Sequence, residues 1–400
     1  MSVKYNYQQF NKSAQKYLGE NSIRSAWELA GQKMNLRFLD LSLGNPIAFP
    51  PPKKLINRMK KVLQGANSKG FFAYMDNAGY AKTRNKIAKD LVKNNLFPKG
   101  LSQDNIVLTC GASAAMNCVL TAIANKNDEI MLLSPYFVDF PKYITNSSAK
   151  AKIVNLKPPH FDLDVDLIAR AINNKTKAII INTPNNPTGM VYSKDKILEL
   201  IALLKLKNKQ YGHPIYIISD EVYREFVFDK LDYFSPCQAY ENTIMIYSYS
   251  KSLNIPGERI GYAAIHPNMP NGKVLFNLVK QANRILGFTN APALIQKVIP
   301  EMLPLEYNIK YYQRQRDKLK DALEEGGFKF EVPKGAFYFF IKVPVNEAKF
   351  TQLLQKNALA VVLSQAFGIK GYFRIAFCLE PQIVNRACKR FIKIGKSLAF

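Results

Sequence analysis

Short runs of apolar residues alternate along the middle of the chain with longer segments whose apolar residues recur at helical spacing. The runs are rich in isoleucine, valine and leucine, which is typical of strands that are buried on both faces of a sheet. We predict seven strands, at residues 106–109, 129–133, 151–154, 178–181, 215–219, 243–248 and 261–265. Helices are predicted at about 112–126, 163–173, 193–210 and 273–288. This alternation predicts an α/β fold, in which crossover helices flank the sheet.

The last quarter of the chain has a different pattern. A long charged helix is predicted at 307–326, followed by strands at 328–331, 336–343 and 372–378 and by helices at 347–356 and 383–397. This order predicts a smaller α+β unit, completed by an N-terminal segment with a helix over roughly 7–30. The proline-rich residues 47–52 and the segment Asn290–Pro292 mark the boundaries, because proline interrupts both helices and ladders. We therefore expect a large domain at 48–290 and a small domain formed by 1–47 and 291–400.

The composition excludes several classes of protein. A chain of 400 residues, 48% of them hydrophobic, is expected to fold as two cooperating domains rather than around one core. The first residues lack the apolar core of a signal peptide, and no run of about 18 uncharged apolar residues could span a membrane. Five scattered cysteines and three histidines in no ligand spacing predict reduced thiols and no metal site. We expect a soluble cytoplasmic protein.

The formal net charge of +26 raises nucleic acid or an acidic membrane as a possible partner. Lysines outnumber arginines 43 to 13 and are scattered along the chain. Proteins that read bases favour the planar, bidentate fork of arginine instead. We interpret the charge as a lysine-rich solvated surface, and we expect neither nucleic-acid nor membrane binding.

Two polar segments follow neighbouring predicted strands. The segment NTPNNPTG (182–189) forms a rigid turn after the strand at 178–181, and Asp220 and Tyr223 follow the strand at 215–219. Ligands of open α/β sheets bind at this carboxyl edge. An ordinary Asn/Pro turn and a helix N-cap at Asp220 are the structural alternatives.

A third segment, SYSKSLNIPGERIGY (248–262), follows the next strand. A serine hydroxyl together with the fork of Arg259 suits a phosphate group. Lys251, desolvated and near another cation, could have its amine activated for imine formation. Among 43 lysines, this one is therefore the candidate for catalysis.

The order NNPTG, D-x-x-Y, then S-x-S-K with an arginine eight residues later resembles the class I/II aminotransferases of pyridoxal phosphate (PLP) fold type I. The resemblance covers nearly the whole chain. It includes LSLGNP (41–46), YMDNAGYAKTR (74–84, with Thr83 where leucine is usual), TCGASAAMN (109–117) and YFRIAF (372–377). It implies a large domain with a mostly parallel seven-stranded sheet, a smaller α+β domain, and a homodimer with shared active sites.

The resemblance implies a role for each motif residue around the cofactor. Lys251 would hold PLP as a Schiff base and act as the base at the substrate Cα, and Asp220 would keep the pyridine nitrogen protonated. Tyr223 and Asn186 would hydrogen-bond the phenolic oxygen, and Tyr136 would stack on the ring unless it is an ordinary buried aromatic. The phosphate would be held by Ala112, Ser113, Ser248, Ser250 and Arg259, and by Tyr74 across the dimer interface.

The substrate side of the site is implied in the same way. Arg374 would clamp the α-carboxylate, with Asn186 and Gly44 assisting, or would form a structural ion pair. Arg284 resembles the second arginine of dicarboxylate-specific members, with a spacing to Asn290 one residue longer, which favours aspartate or glutamate. An aromatic or broad-specificity aminotransferase, a fold-type-I lyase or decarboxylase, and a basic binding protein with a vestigial PLP site remain alternatives.

Overall fold

The computed structural model describes residues 38–46 and 48–398. The first strand, β1 (Leu39–Asp40), lies outside the main sheet. The main sheet has seven strands: β2 (Ile106–Thr109), β3 (Glu129–Ser134), β4 (Lys150–Asn155), β5 (Thr176–Asn182), β6 (Tyr216–Asp220), β7 (Thr243–Ser248) and β8 (Gly261–Ile265). Their spatial order is β2-β8-β7-β6-β5-β3-β4, and β8 is antiparallel to both of its neighbours while the other pairs are parallel. The predicted α/β fold with a mostly parallel seven-stranded sheet is confirmed.

Helices cover both faces of this sheet. They are α1 (Lys53–Leu63), α2 (Ala81–Lys93), α3 (Gly111–Ile123), α4 (Phe140–Asn146), α5 (Val165–Ala171), α6 (Lys194–Tyr211), the short α7 (Tyr249–Ser252), α8 (Gly272–Ile285) and α9 (Ala293–Val298). The longest, α6, begins where the Ser193 hydroxyl accepts the backbone N–H of Lys196, and it ends at Gly212 with φ +72°. The helices α1, α2, α4, α7 and α9 were not predicted.

The register of the parallel strands positions the functional edge of the sheet. Asn182 at the end of β5 pairs with Asp220 at the end of β6, and Asp220 pairs with Ile246 of β7. These three strands are almost entirely buried. Because parallel strands end at the same edge, the polar residues that follow them lie close together.

The C-terminal part forms a smaller α+β unit, as predicted. Its strands β9 (Tyr338–Lys342), β11 (Val362–Leu363) and β12 (Tyr372–Ala376) form an antiparallel sheet in the order β11-β12-β9. Strand β10 (Leu359–Ala360) pairs in parallel with β1. Helices α10 (Ile309–Glu325), α11 (Glu347–Lys356) and α12 (Pro381–Leu398) complete the unit.

The structure differs from the predictions in the details of this unit. Residues 328–331 form no strand; Phe330 makes only an isolated bridge with Ile341. The predicted helix at 7–30 lies outside the described residues. Residues 291–305 pack with α1 and α2 of the large unit, whereas α10 packs with the small sheet. The domain boundaries remain a prediction, and this packing favours a second boundary between Leu305 and Ile309.

No helix within the described residues is long and apolar enough to span a membrane. Likewise, no group of three or more metal-ligating side chains occurs in residues 38–46 and 48–398.

Helix α12 crosses the end of α10 at a very short distance. A Cβ atom added at Gly395 would lie 2.0 Å from the carbonyl oxygen of Gly326, and backbone atoms cannot move away as a side chain can. We expect Gly395→Ala to lower the free energy of unfolding by about 1–3 kcal/mol in a urea titration, despite the better helix propensity of alanine. Gly65→Ala is the control, because its nearest atom lies at 3.7 Å. Equal stability of the two variants would contradict this account of the helix crossing.

Candidate active site

A cleft of about 540 Å³ opens between the carboxyl edge of the large sheet and the small sheet. It is enclosed by the ends of β5, β6 and β7, by the start of α3 and by β9 and β12 of the small unit. Most of the residues predicted from the sequence line this cleft: Gly44, Ala112, Ser113, Asn186, Asp220, Tyr223, Ser248, Ser250, Lys251, Arg259 and Arg374. Residues separated by more than 300 positions in sequence therefore meet in one cavity.

Lys251 lies on the short helix α7, directly after β7. Its Nζ donates a hydrogen bond of 2.6 Å to the backbone oxygen of Gly44. Burial lowers the pKa of this amine, the Cys378 thiol opposes the shift, and the cations Arg374 and Arg259 add to it. An amine with a lowered pKa is more often neutral, and only a neutral amine can attack a carbonyl carbon.

Asp220 ends β6 and is almost fully buried. The Asn182 side chain donates to its Oδ2 and to its backbone oxygen, both at 3.2 Å, while Oδ1 has no hydrogen-bond partner among residues 38–46 and 48–398. Burial raises the pKa of this carboxyl group to about 7, the backbone N–H of Val222 opposes the shift, and Glu221 adds to it. A buried acceptor without a donor costs free energy, so this atom suits a positively charged N–H group of a ligand. The pyridinium nitrogen of PLP is such a group.

Arg374 projects from β12 and is buried. Its Nη1 donates to Asn186 Oδ1 at 2.8 Å, and its Nη2 donates to the backbone oxygen of Ser42. The rings of Tyr338 and Phe367 lie 4.4 and 4.9 Å from the guanidinium carbon. No carboxylate is among these neighbours, and burial lowers the pKa of the guanidinium. A buried cation that is surrounded by neutral groups can bind an anionic ligand. If Arg374 formed a structural ion pair instead, its guanidinium would already be occupied by a carboxylate of the chain.

Several donors converge at the other end of the cleft. Helix α3 begins at Gly111, so the first backbone N–H groups of the helix, including those of Ala112 and Ser113, have no partner within it. The hydroxyls of Ser248 and Ser250 lie 2.8 Å apart. Arg259 is held by the backbone oxygens of Pro256, at 2.8 Å, and Cys110, at 3.2 Å. This combination of a helix N-terminus, hydroxyls and a guanidinium fits a phosphate group.

Three predicted residues do not line the cleft. Tyr136 lines a separate small cavity with Leu132 and Tyr192, and its neighbour Phe137 lines the cleft instead. Neighbouring side chains of a non-helical segment point to different sides, so Phe137 rather than Tyr136 faces the cleft. Tyr74 is 92% exposed and Arg284 is exposed at the end of α8, both outside the cleft of their own chain.

The sequence reasoning missed four aromatic residues that line the cleft: Phe137, Phe140, Tyr143 and Tyr338. Tyr143 lies on α4, and burial raises the pKa of its phenol to about 12, with the Ser113 hydroxyl within hydrogen-bonding reach opposing the shift. Tyr338 lies on β9, and its hydroxyl is 2.7 Å from that of Tyr223. The apolar run GAFYFF predicts the strand that carries Tyr338, but its pattern does not indicate which of its aromatic side chains faces the cleft.

Comparison with known proteins agrees with this geometry. The sequence model of the family "Aminotransferase class I and II" matches residues 37–391. An aspartate aminotransferase from Thermotoga maritima is 28% identical over 88% of this chain and 90% of that protein. An aromatic-amino-acid aminotransferase from Thermococcus litoralis is 29% identical over 90% of this chain and 92% of that protein.

Solved structures give the same result. A crystal structure of an aminotransferase from Eubacterium rectale has a TM-score of 0.91 and 32% identity, and covers 98% of this chain and 99% of that one. The crystal structure of the Thermotoga maritima aspartate aminotransferase has a TM-score of 0.85 and 26% identity, with 96% and 99% covered. The chain belongs to the class I and II aminotransferases, with the fold of PLP fold type I.

Proposed function

We propose that this aminotransferase moves the amino group of an L-amino acid to a 2-oxo acid by a ping-pong mechanism, with PLP bound at Lys251. The observation that carries the proposal is one cleft that contains an amine of lowered pKa, a buried carboxylate oxygen and a buried arginine. In the part of the chain that the structure describes, this oxygen has no hydrogen-bond partner and this arginine has no counter-ion. These three groups suit, respectively, the aldehyde, the ring nitrogen and the substrate carboxylate.

When bound, PLP supplies an aldehyde that condenses with amines and a ring that accepts electrons from the substrate Cα. The chain's own residues would bind and orient both molecules. Asp220 would accept the N–H of the ring through Oδ1 and hold the proton at that nitrogen. Tyr223 and Asn186 would donate hydrogen bonds to the phenolic oxygen, and Phe137, in place of Tyr136, would cover the face of the ring.

The phosphate would be bound by the backbone of Ala112 and Ser113, by the hydroxyls of Ser248 and Ser250 and by Arg259. Arg374 would bind the substrate α-carboxylate, and Asn186 and the Gly44 backbone would assist. The Nζ of Lys251 would accept the proton of the substrate Cα and hold it close to the ring. Its lowered pKa favours this role, because a neutral amine is the form that accepts a proton.

The name of the Thermotoga relative supports an aspartate or glutamate type of substrate. The cations among the described residues of the cleft are Lys251, Arg259 and Arg374, and each already has a role. The side-chain carboxylate of aspartate or glutamate would therefore need a cation from outside these cleft residues. Arg284 of a second copy of the chain is our candidate. The Thermococcus relative favours an aromatic or broad-specificity enzyme as the second candidate. Lyase or decarboxylase chemistry and a vestigial site are not favoured, because the matched family and these relatives are aminotransferases.

A homodimer would give a function to Tyr74 and Arg284, the predicted site residues that lie outside the cleft. Tyr74 is 92% exposed, and Phe72 close by in the chain is 63% exposed, which is unusual for large aromatic side chains. Tyr74 would reach the phosphate bound by the partner, and Arg284 would reach the substrate of the partner. We also place the protein in the cytoplasm, and its five free cysteines support a reducing compartment.

The colour of the purified protein tests the central proposal. We expect a visible absorption band with PLP, and an amino acid alone should convert it stoichiometrically to the pyridoxamine form, because transamination stops after one half-reaction without an oxo acid. Lys251→Ala should lack the lysine-dependent band and lose activity by at least about 10³-fold, since it removes both the covalent attachment and the base. A colourless wild-type protein with added PLP would contradict the proposal. Continuous release of ammonia would favour lyase chemistry instead.

The stability of the cofactor-free protein should depend on Asp220. Because its pKa in the folded protein, about 7, is above the unfolded value, its stabilising contribution is full below about pH 4 and is lost as the pH rises through about 7. Asp220→Asn carries no such charge, so its unfolding free energy relative to wild type should increase between about pH 5 and pH 8, by at most a few kcal/mol. Urea titrations at both pH values measure this difference. A difference that stays constant with pH would show that the buried carboxyl group does not titrate in this range.

Substrate profiles test the assignment of the two arginines. Arg284→Ala should lower kcat/KM for aspartate and glutamate by roughly 10- to 100-fold, the value of one lost charge-assisted contact, and leave alanine and phenylalanine unchanged. Arg374→Ala is the matched comparison and should damage all four substrates, because every amino acid has an α-carboxylate. An equal loss for all substrates in Arg284→Ala would remove the support for dicarboxylate recognition.

A further inference from the structure

Tyr338 is a buried residue of the cleft that none of the recognised motifs includes. It lies on β9 in the small unit, is 2% exposed, and faces two residues with proposed roles. The guanidinium carbon of Arg374 lies 4.4 Å from the centre of its ring, and its hydroxyl is 2.7 Å from the hydroxyl of Tyr223. Tyr338 thus lies between the proposed binding group for the α-carboxylate and the proposed partner of the phenolic oxygen.

The position of this hydroxyl is tightly constrained. A Cβ atom added at Gly44 would lie 1.8 Å from the Tyr338 oxygen, so the residue at position 44 must lack a side chain for the phenol to occupy this place. The Tyr223 ring packs edge-on against the Tyr338 ring, with centroids 5.7 Å apart at 83°. Because the ring is buried and the backbone is close, the hydroxyl is held beside Tyr223.

The number of protons decides how the two phenols can share their hydrogen bond. Each phenol has one proton to donate and lone pairs to accept. If Tyr223 donates to Tyr338, its only proton is used, and it cannot donate to a ligand in the cleft. If Tyr338 donates to Tyr223, the proton of Tyr223 stays available for an acceptor in the cleft. The positive charge of Arg374 lies over the Tyr338 ring and favours Tyr338 as the donor, because a nearby cation strengthens an O–H donor.

We propose that Tyr338 is a positioning residue, which donates its proton to Tyr223 and thereby directs the Tyr223 proton to the phenolic oxygen of the cofactor. This inference rests on the proposed function, because it assumes PLP at Lys251. Two hydrogen bonds would then follow one another, from Tyr338 to Tyr223 and from Tyr223 to the cofactor oxygen. They would join the small sheet to the large unit. Hydrogen bonds in such a chain strengthen one another, so Tyr338 would stabilise the anionic oxygen without touching it.

The test is the pH titration of the visible band of the bound cofactor in the intact holoenzyme. The pH of half-change reports how well the anionic phenolic oxygen is stabilised. Tyr338→Phe keeps the ring over Arg374 and removes only the hydroxyl. We expect it to raise the half-change point by about half to one pH unit, corresponding to the net contribution of one neutral hydrogen bond. Tyr223→Phe should raise it further, and adding Tyr338→Phe to Tyr223→Phe should cause no additional shift.

Tyr372→Phe is the matched control, since it removes a phenol hydroxyl from the same small sheet at a position that does not line the cleft. It should leave the half-change point unchanged.

The sign of the shift decides between the two proton arrangements. A downward shift in Tyr338→Phe would mean that Tyr223 had been donating to Tyr338, and it would overturn the inference. No shift, or a shift that adds fully to that of Tyr223→Phe, would also overturn it while leaving the proposed function intact. Absence of the band in the wild-type holoenzyme would overturn both, and a band lost only in Lys251→Ala supports the proposed function on its own.

Discussion

The cleft depends on one constraint, the register of three neighbouring parallel strands. Asn182 and Asp220 pair at the ends of β5 and β6, and Asp220 pairs with Ile246, two residues before the end of β7, so the chain leaves the three strands at the same edge of the sheet. The side chain of Asn182 then bonds Asp220 directly. A shift of one strand by one residue would turn its side chains to the opposite face and remove the carboxylate from the cleft.

The electrostatics of the cleft follow from this packing. Burial raises the pKa of Asp220 and lowers the pKa of Lys251 and of Arg374, because the charged form of each group costs more free energy in the protein interior than in water. Proteins usually pair buried charges with one another, but Asp220 Oδ1 and Arg374 Nε have no partner among the described residues. Such an arrangement is costly for the folded chain alone, and a ligand of complementary charge would offset the cost.

The small sheet supplies the other wall of the cleft, with Tyr338 on β9 and Arg374 on β12. Tyr338 and Phe367 cover the guanidinium of Arg374, which reaches across to Asn186 of the large unit. The link between Tyr338 and Tyr223 crosses the same boundary. Aromatic walls exclude water, and polar interactions in a dry cavity are stronger than the same interactions in solvent. The large unit therefore positions most of the reactive groups, and the small unit provides the environment in which they act.

The sequence by itself determined the alternation of strands and helices and the family. It also placed Asn186, Asp220, Lys251 and Arg374 in one cleft, because each follows or lies on a strand whose apolar pattern is easily recognised. The short strand Leu359–Ala360 was not predictable, since two residues have no periodicity, and the strand predicted at 328–331 is only a bridge at Phe330. Only the tertiary structure decided that Phe137 and not Tyr136 faces the cleft, that Arg284 lies outside it, and that Tyr338 meets Tyr223 across 115 residues of sequence. The physical reason is that spacing along a chain encodes local periodicity, whereas the side to which a side chain turns and the distant residue it meets are set by how the two units pack.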